Sequence, residues 1–153
     1  MANWAEGVLR VHGRNKDLIN FMKNGFREAA CSGVPAPEVK TINDEVILHC
    51  EGELYVRGSY RMFSEDKEIS FDWDGEPEKE STVAFNVKQA WTVLSEDLQT
   101  LSQKYKINFR ITAYEKGMEF SQEIEVIEGK ITKEILRKYN DYLWECENPL
   151  IGG

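Results

Sequence analysis

The sequence predicts an α+β fold in which an antiparallel sheet carries its helices on one face. Runs of alternating apolar and polar residues, which are typical of half-buried strands, recur along the chain. Segments rich in glycine and proline separate several of these runs, as expected of turns. Other segments place apolar residues every three or four positions, as amphipathic helices do. Helices that cover one face of such a sheet bury the apolar sides of both elements.

The chain begins with a predicted strand and a predicted helix. Residues 3–13 alternate, so Trp4 lies on the opposite face from Leu9. The helix that follows is predicted to have Asn15 as its N-cap. Its apolar face consists of Leu18, Met22, Gly25 and Phe26. Residues 32–37, which include two prolines and a glycine, then interrupt regular structure.

A β-rich region follows, and we interpret residues 38–88 as an insertion that forms antiparallel hairpins. Short turns separate its alternating runs, which is the pattern of a meander whose strands pair in chain order. The runs start at Val46, Leu54, Ile69 and Val83.

The remaining elements are a helix, two strands and a final helix. The first of these helices is predicted to begin near Ser95, and the strands to cover 107–113 and 118–126. The final helix is predicted to have Thr132 as its N-cap. Its apolar face consists of Ile135, Tyr139, Tyr142 and Cys146. This order of elements fits a ferredoxin-like plait with an inserted hairpin region and a C-terminal helix, in a single domain spanning 1–153.

The composition indicates a soluble, cytoplasmic, globular domain. Hydrophobic residues make up 41% of the 153 positions and charged residues 30%, which is typical of a chain that folds around a core. The first residues lack the basic and apolar regions of a signal peptide, and no apolar run approaches the roughly 20 residues of a membrane-spanning helix. We therefore expect no membrane partner. We also expect three reduced thiols, namely Cys31, Cys50 and Cys146.

The net charge of −8 is concentrated in one segment. Residues 64–80 contain eight acidic residues and two lysines, which gives this segment a net charge of −6. No stretch gathers lysine and arginine, so direct binding of nucleic-acid phosphates is not expected. The charge instead favours a basic host or phage protein as the partner.

No motif for catalysis, metal binding or cofactor binding occurs in the sequence. The two histidines, His12 and His49, have no partner at the spacing of a metal site. A calcium loop that began at Asp72 would need Gly and Glu where the chain has Pro77 and Val83. Nucleophile elbows and phosphate loops are also missing. We therefore expect no catalytic residue, no metal and no cofactor, and a protein that is not an enzyme.

Aromatic residues beside acidic ones are the candidates for binding. Trp73 lies between Asp72 and Asp74, so the three together would offer a basic partner an aromatic anchor with acidic flanks. Trp4 lies on the strand face that a plait leaves uncovered. The alternative for Trp73 is partial burial at a strand end, beside a solvated acidic turn. Core packing is expected for Trp91 and Trp144.

The chain also carries three short motifs outside its β-rich middle. They are Met1-Ala2-Asn3-Trp4 with Leu9, Val11 and Gly13; Ala90-Trp91; and Tyr114-Glu115-Lys116-Gly117-Met118-Glu119-Phe120. These motifs, within residues 1–28 and 88–130, resemble the Api92-like (YubB-type) ferredoxin-like domains of phage and plasmid genomes. This chain has Ala5 where a cysteine is expected after the tryptophan, so a role for that thiol does not carry over. The resemblance implies a fold and a mobile-element setting, and it assigns no catalytic residue.

The expected function is that of a non-enzymatic binding or interaction module, an accessory protein of a phage or plasmid. Two alternatives stay open, namely an acidic inhibitor that mimics nucleic acid, and a small-molecule-binding protein or enzyme without a recognisable motif. A flat, apolar sheet face would favour the interaction module. A ridge of carboxylates would favour the mimic, and a cleft that holds titratable groups with perturbed pKa values would favour the third.

Overall fold

The computed structural model describes residues 2–29 and 36–153. The predicted interruption at 32–37 lies mostly outside these residues, as does Cys31. The strands are β1 Trp4–Arg14, β2 Phe26–Glu28, β3 Glu38–Ile42, β4 Glu45–His49, β5 Leu54–Val56, β6 Met62–Ser64, β7 Glu68–Asp72, β8 Glu80–Ala90, β9 Asn108–Glu115, β10 Phe120–Ile127 and β11 Lys130–Lys138. The helices are α1 Asn15–Asn24, α2 Ser95–Tyr105 and α3 Tyr142–Glu145.

Eight of the strands form one large antiparallel sheet. Its order is β11-β10-β9-β1-β8-β6-β5-β2. Strand β1 lies near the centre, where it pairs with β8 along its whole length and with β9 on its other side. The predicted α+β class and the largely antiparallel sheet are therefore confirmed.

Helices α1 and α2 pack on one face of the large sheet. The alternation in β1 explains this arrangement, because Leu9 and Val11 point toward the helices and are 0% exposed, while Val8 on the other face is 48% exposed. The rings of Phe21 in α1 and Tyr105 in α2 lie 5.3 Å apart, which joins the two helices over the sheet. The core that they share also contains Leu18, Met22, Leu98, Leu101, Phe109 and Ile111.

Strands β3, β4 and β7 form a second, three-stranded sheet in the order β3-β4-β7. This small sheet packs against α1, and β7 lies beside β8. Its inward residues join the same hydrophobic core as the large sheet, and these are Val46, Leu48, Ile69 and Phe71.

The middle of the chain is more elaborate than the predicted inserted hairpins. The chain passes from the small sheet to β5 and β6 of the large sheet and then back to β7, so its strands do not pair in chain order. The single run predicted to start at Leu54 is broken into β5 and β6, because Gly58 and Arg61 adopt positive φ angles of 83° and 53°. Strand β8, at the end of the predicted insertion 38–88, is a central strand of the large sheet.

The predicted start of the C-terminal helix at Thr132 is wrong, since residues 130–138 form the edge strand β11 and the helix is confined to Tyr142–Glu145. Glu128 and Gly129 both have positive φ angles, 50° and 73°. Two such residues between β10 and β11 make the tight turn that joins antiparallel strands of a hairpin. The pairing of Ile127 with Lys130 across this turn then commits the following residues to the sheet.

Two of the predicted N-caps, Asn15 and Ser95, begin their helices without capping them. Helix α1 starts at Asn15, but the preceding Arg14 is its N-cap and makes no capping hydrogen bond through its side chain. The Asn15 side chain is buried instead, and its Nδ2 donates to the carbonyls of Trp73 at 2.8 Å and Glu76 at 2.9 Å. Ser95 likewise begins α2 and makes no capping bond. No helix in 2–29 or 36–153 is long and apolar enough to cross a membrane.

Candidate binding surface

The face of the large sheet opposite α1 and α2, which we call the open face, carries the polar residues of the central strands. On β1 it displays Glu6, Val8, Arg10 and His12. The face is mixed in character rather than apolar, since charged side chains alternate with single aliphatic ones. It holds three features: an aromatic cluster, a carboxylate pair and an arginine pair.

The aromatic cluster lies toward β5 and β6 and contains the predicted binding residue Trp4. The Trp4 ring meets Phe63 edge to face at 5.9 Å, and Phe63 meets Tyr55 at 5.5 Å. Lys88 and Arg61 place their charged groups 4.9 and 5.6 Å from the centre of the Trp4 ring. Trp4 is thus half-buried and already engaged by two cations of its own chain.

The carboxylate pair consists of Glu6 on β1 and Glu65 just after β6. Burial raises the pKa of Glu65, and the nearby Glu6 carboxyl raises it further by repulsion and by hydrogen bonding. The pair lies in a cleft of about 330 Å³ that is also lined by Asn86 and Tyr114. This cleft is the structural feature that favours a small-molecule site.

The arginine pair lies further along the same face. Arg10 on β1 stands directly opposite Arg110 on β9. The Arg110 guanidinium is paired with Glu125 on β10, whose pKa is lowered first by a hydrogen bond from Thr132 and then by one from Arg110. Arg10 has no hydrogen-bond or ion-pair partner in the part of the chain that the structure describes.

The C-terminal residues of the described chain, segment 139–153, cross one end of the open face. Tyr142 and Cys146 are buried against Tyr114 of β9, and burial raises the pKa of Tyr142. The Gly152 N–H donates to a Glu6 oxygen at 3.0 Å. Gly152 has a φ of 84°, and a Cβ there would collide with the Tyr114 carbonyl. The segment is therefore fixed closely to the sheet.

Segment 139–153 exposes two large apolar side chains on the outer side of α3. Trp144 is 85% exposed and Leu143 is 69% exposed. Asp141 caps α3 by accepting a hydrogen bond from the Trp144 N–H at 3.3 Å, so the backbone that carries the indole is held in place. The core packing expected for Trp144 is wrong, as it is for Trp91, which is 48% exposed.

The acidic residues predicted to bind a partner lie where the small sheet meets α1. The ring of Trp73 is partly buried against the core, and its indole nitrogen is buried. Asp74 forms an ion pair with Lys79 at 2.6 Å, and Asp72 is exposed at the end of β7. The structure therefore keeps the three side chains adjacent but turns the aromatic one inward.

Several carboxylates of residues 64–80, which we call the acidic segment, form ion pairs with basic side chains. Glu78 bonds to Lys16 at 2.8 Å and to Arg14 at 3.3 Å, and its pKa is lowered, chiefly by the hydrogen bond from Lys16. Glu80 lies 3.4 Å from His12. The backbone N–H groups of Asn15 and Lys16 donate to carbonyls of the same loop. A segment so anchored does not present a continuous ridge of free carboxylates.

No group of three or more His, Cys, Asp or Glu side chains in residues 2–29 and 36–153 is placed to hold a metal ion. Cys50 and Cys146 are both free and buried. No family model, curated protein or solved structure matches this chain.

The sequence contained a signal for the exposed tryptophan. The apolar spacing of the predicted final helix runs through Tyr139, Tyr142 and Cys146, which leaves Trp144 on the opposite side. Asp141 also stands three residues before Trp144, the spacing of an N-cap that accepts from a backbone N–H. The arginine pair, in contrast, depends on the register of β1 and β9, which the sequence does not reveal.

Proposed function

We propose that this chain is a non-enzymatic binding module that contacts a basic protein partner through segment 139–153. The observation that carries the proposal is the exposure of Trp144, of which 85% is open to solvent. Tryptophan is the residue most enriched among those that dominate binding energy at protein interfaces. A folded domain that leaves its indole outside the core keeps a large apolar surface available for contact.

The surroundings of Trp144 support an interface of this kind. Leu143, its neighbour in sequence, is 69% exposed, and Leu150 of the same segment is 76% exposed, so segment 139–153 presents further apolar side chains to solvent. The Asp141 cap and the buried Tyr142 hold the α3 backbone before any partner arrives. A contact surface that is already ordered loses less conformational entropy on binding.

Charge supports a basic partner. Segment 139–153 contains three acidic residues and no lysine or arginine, and the whole chain has a net charge of −8. Acidic residues beside an exposed tryptophan steer a positively charged surface toward it and disfavour acidic competitors. The acidic residues Asp72 and Asp74 extend this negative potential elsewhere on the surface.

We also propose that the fold is an elaborated ferredoxin-like plait of the Api92-like group, which would place the protein among phage or plasmid accessory proteins. The order β9-β1-β8-β6, with α1 after β1 and α2 after β8, supports the plait. The Tyr114–Phe120 motif forms the turn between β9 and β10, where the Glu115 carboxylate accepts from the Gly117 N–H at 2.6 Å. The remaining strands are additions to this four-stranded plait.

The test is quantitative affinity capture with the immobilised chain, from cells that naturally contain it. We compare the wild type with the double variant Leu143→Ser, Trp144→Ser. Both side chains are exposed, so the fold and its thermal midpoint are expected to be unchanged. Removing an aromatic hot spot costs about 2 kcal/mol or more, so recovery of the partner should fall about 10-fold or more.

The matched control is Leu136→Ser, which removes an exposed leucine from β11, where it is 58% exposed. This variant should recover the partner as the wild type does. Equal recovery by all three proteins would contradict the proposal, and so would the same loss in the control.

A second candidate function is the binding or turnover of a small molecule in the cleft around Glu6 and Glu65. The raised pKa of Glu65 favours it, because perturbed carboxyl groups in a cleft are typical of functional sites. A thermal-shift screen of small polar ligands would test it. A ligand whose stabilisation is lost in Glu65→Gln and kept in the Leu143→Ser, Trp144→Ser variant would support the cleft, and a screen without such a ligand would count against it.

A further inference from the structure

We propose that the arginine pair forms a binding site for the phosphate group of a small ligand, either free phosphate or a phosphomonoester. The site is a cleft of about 210 Å³ at the end of the open face away from segment 139–153. It is lined by Arg10, His12, Thr82, Asn108, Arg110 and Ile127. Arg10 also lines the neighbouring cleft around Glu6 and Glu65, but no residue of segment 139–153 lines the arginine-pair cleft, and the proposal does not depend on the protein interface.

The first argument is the uncompensated charge of Arg10. Its neighbours across the strands are Arg110 on one side and Ala84 on the other. Like charges directly opposite each other on paired strands destabilise a sheet. Arg110 has Glu125 as its counter-ion, whereas Arg10 has none in the ranges 2–29 and 36–153. This arrangement leaves the positive charge of Arg10 uncompensated among the described residues, and a bound anion would relieve its repulsion with Arg110.

The second argument is the chemistry of the lining, which is rich in donors. The side-chain Oδ1 of Asn108 already accepts from the Glu128 N–H at 2.9 Å, so the side-chain NH₂ group remains to donate. The Thr82 hydroxyl bonds to His12 Nδ1 at 2.8 Å, which fixes both side chains at the edge of the cleft. The cleft lining contains no aspartate or glutamate. Oxyanions are the ligands that such a set of donors binds.

The third argument concerns size and geometry. A volume of about 210 Å³ lies below the roughly 300–1,000 Å³ of pockets for drug-sized ligands, so a small group fits best. Guanidinium groups donate two parallel hydrogen bonds to phosphate oxygens. A phosphate between Arg10 and Arg110 would accept from both and replace their repulsion by two charge-assisted contacts.

The experiment is an NMR titration of the ¹⁵N-labelled chain with inorganic phosphate, phosphoserine and acetate, with ionic strength held constant by sodium chloride. We expect saturable shifts of the Arg10, His12 and Arg110 amides with phosphate. Arg10→Gln should weaken this binding about 10-fold or more, since a charged hydrogen bond is lost. Tighter binding of phosphoserine would identify a phosphomonoester as the ligand, and equal binding would identify free phosphate.

The matched control is Arg137→Gln, which removes the same charge from the open face at β11, away from the cleft. Its phosphate affinity should match the wild type. Shifts that do not saturate, an equal loss in Arg137→Gln, or acetate binding as tight as phosphate would each overturn the proposal.

Discussion

The stability of the fold depends on pH through the side chain of Glu65. Its carboxyl group is partly buried beside Glu6, and both effects raise its pKa. A raised pKa means that the folded protein prefers the protonated acid more strongly than the unfolded chain does. The stability that this preference contributes is present below the ordinary glutamate pKa and is lost as pH rises through the raised value.

The variant Glu65→Gln should therefore be more stable than the wild type near neutral pH. Glutamine stays neutral, so it avoids the cost of ionising a partly desolvated carboxyl group beside Glu6. The gain should vanish as the pH falls well below the ordinary glutamate pKa, because the Glu65 carboxyl is then protonated in the folded and the unfolded chain alike. Thermal unfolding of the two proteins across this pH range measures the difference.

Glu134→Gln is the control, because it neutralises an exposed glutamate on β11. Its stability relative to the wild type should not depend on pH in the same way. A neutral-pH gain in Glu134→Gln equal to that in Glu65→Gln would show that net charge, rather than the pair, is responsible.

The β10–β11 hairpin depends on the conformation of its two turn residues. Gly129 has a φ of 73°, and a Cβ there would lie 2.6 Å from Cγ of Gln103. The Gly129 carbonyl also accepts hydrogen bonds from Gln99 at 3.1 Å and Gln103 at 3.0 Å of α2. The turn thus connects the hairpin to the helix, and its geometry matters beyond the two strands.

Gly129→Ala should lower the free energy of unfolding by about 1–2 kcal/mol, the cost of a left-handed conformation for a residue with a Cβ. Urea denaturation measures this change. Glu128→Asn is the matched control, because asparagine tolerates positive φ, and it should leave stability unchanged or slightly higher. A Gly129→Ala variant as stable as the wild type would contradict the turn described here.

The acidic segment that spans β7 and the loop before β8 supplies a separate prediction for the basic partner. The double variant Asp72→Lys, Asp74→Lys should slow association, and the wild-type on-rate should fall as salt rises, because steering by exposed charges is screened. Stopped-flow or surface binding kinetics with the captured partner measure both.

The control Glu128→Lys, Glu134→Lys makes the same change of net charge at the β10–β11 hairpin. A smaller effect there would locate the steering at Asp72 and Asp74. Unchanged association in the Asp72→Lys, Asp74→Lys variant would leave the acidic segment without a role in recognition.

The packing of helices on one face of the sheet was predictable in those segments whose apolar spacing fits either a strand or a helix but not both. The alternation in β1 and the spacing of Leu18 and Met22 determine which sides are buried, and both follow from the sequence alone. Residues 130–138 were not predictable in this way, because Ile135 suits both a strand and a helix. The Glu128-Gly129 turn favours the strand, because it places the following residues where they can pair with β10. That effect depends on the position of β10 in the fold, which the sequence of residues 130–138 does not show.

The candidate site was predictable to a smaller degree. Trp4 was expected on the uncovered face, and it lies there. Trp73 lies between Asp72 and Asp74, yet tertiary packing turns its ring inward, whereas Trp144 lies outside the core. The acidic flanks of Trp73 do not reveal its burial, because burial depends on which element packs over the residue. The juxtaposition of Arg10 and Arg110 likewise requires the strand register.

The molecule as a whole has one covered side and one open side. Helices α1 and α2 and the small sheet enclose the core on one side, while the open face and segment 139–153 meet solvent on the other. The apolar side chains Leu143 and Trp144 contribute little to this core. We propose that contact with a partner explains their exposure.

Hydrogen–deuterium exchange of the chain, with and without its captured partner, reports where that partner sits. Slower exchange on complex formation should be largest for the amides of residues 142–151, around Leu143 and Trp144, and should disappear in the Leu143→Ser, Trp144→Ser variant. Protection confined to residues 68–80, or spread elsewhere while residues 142–151 exchange as in the free chain, would contradict a binding module that acts through segment 139–153.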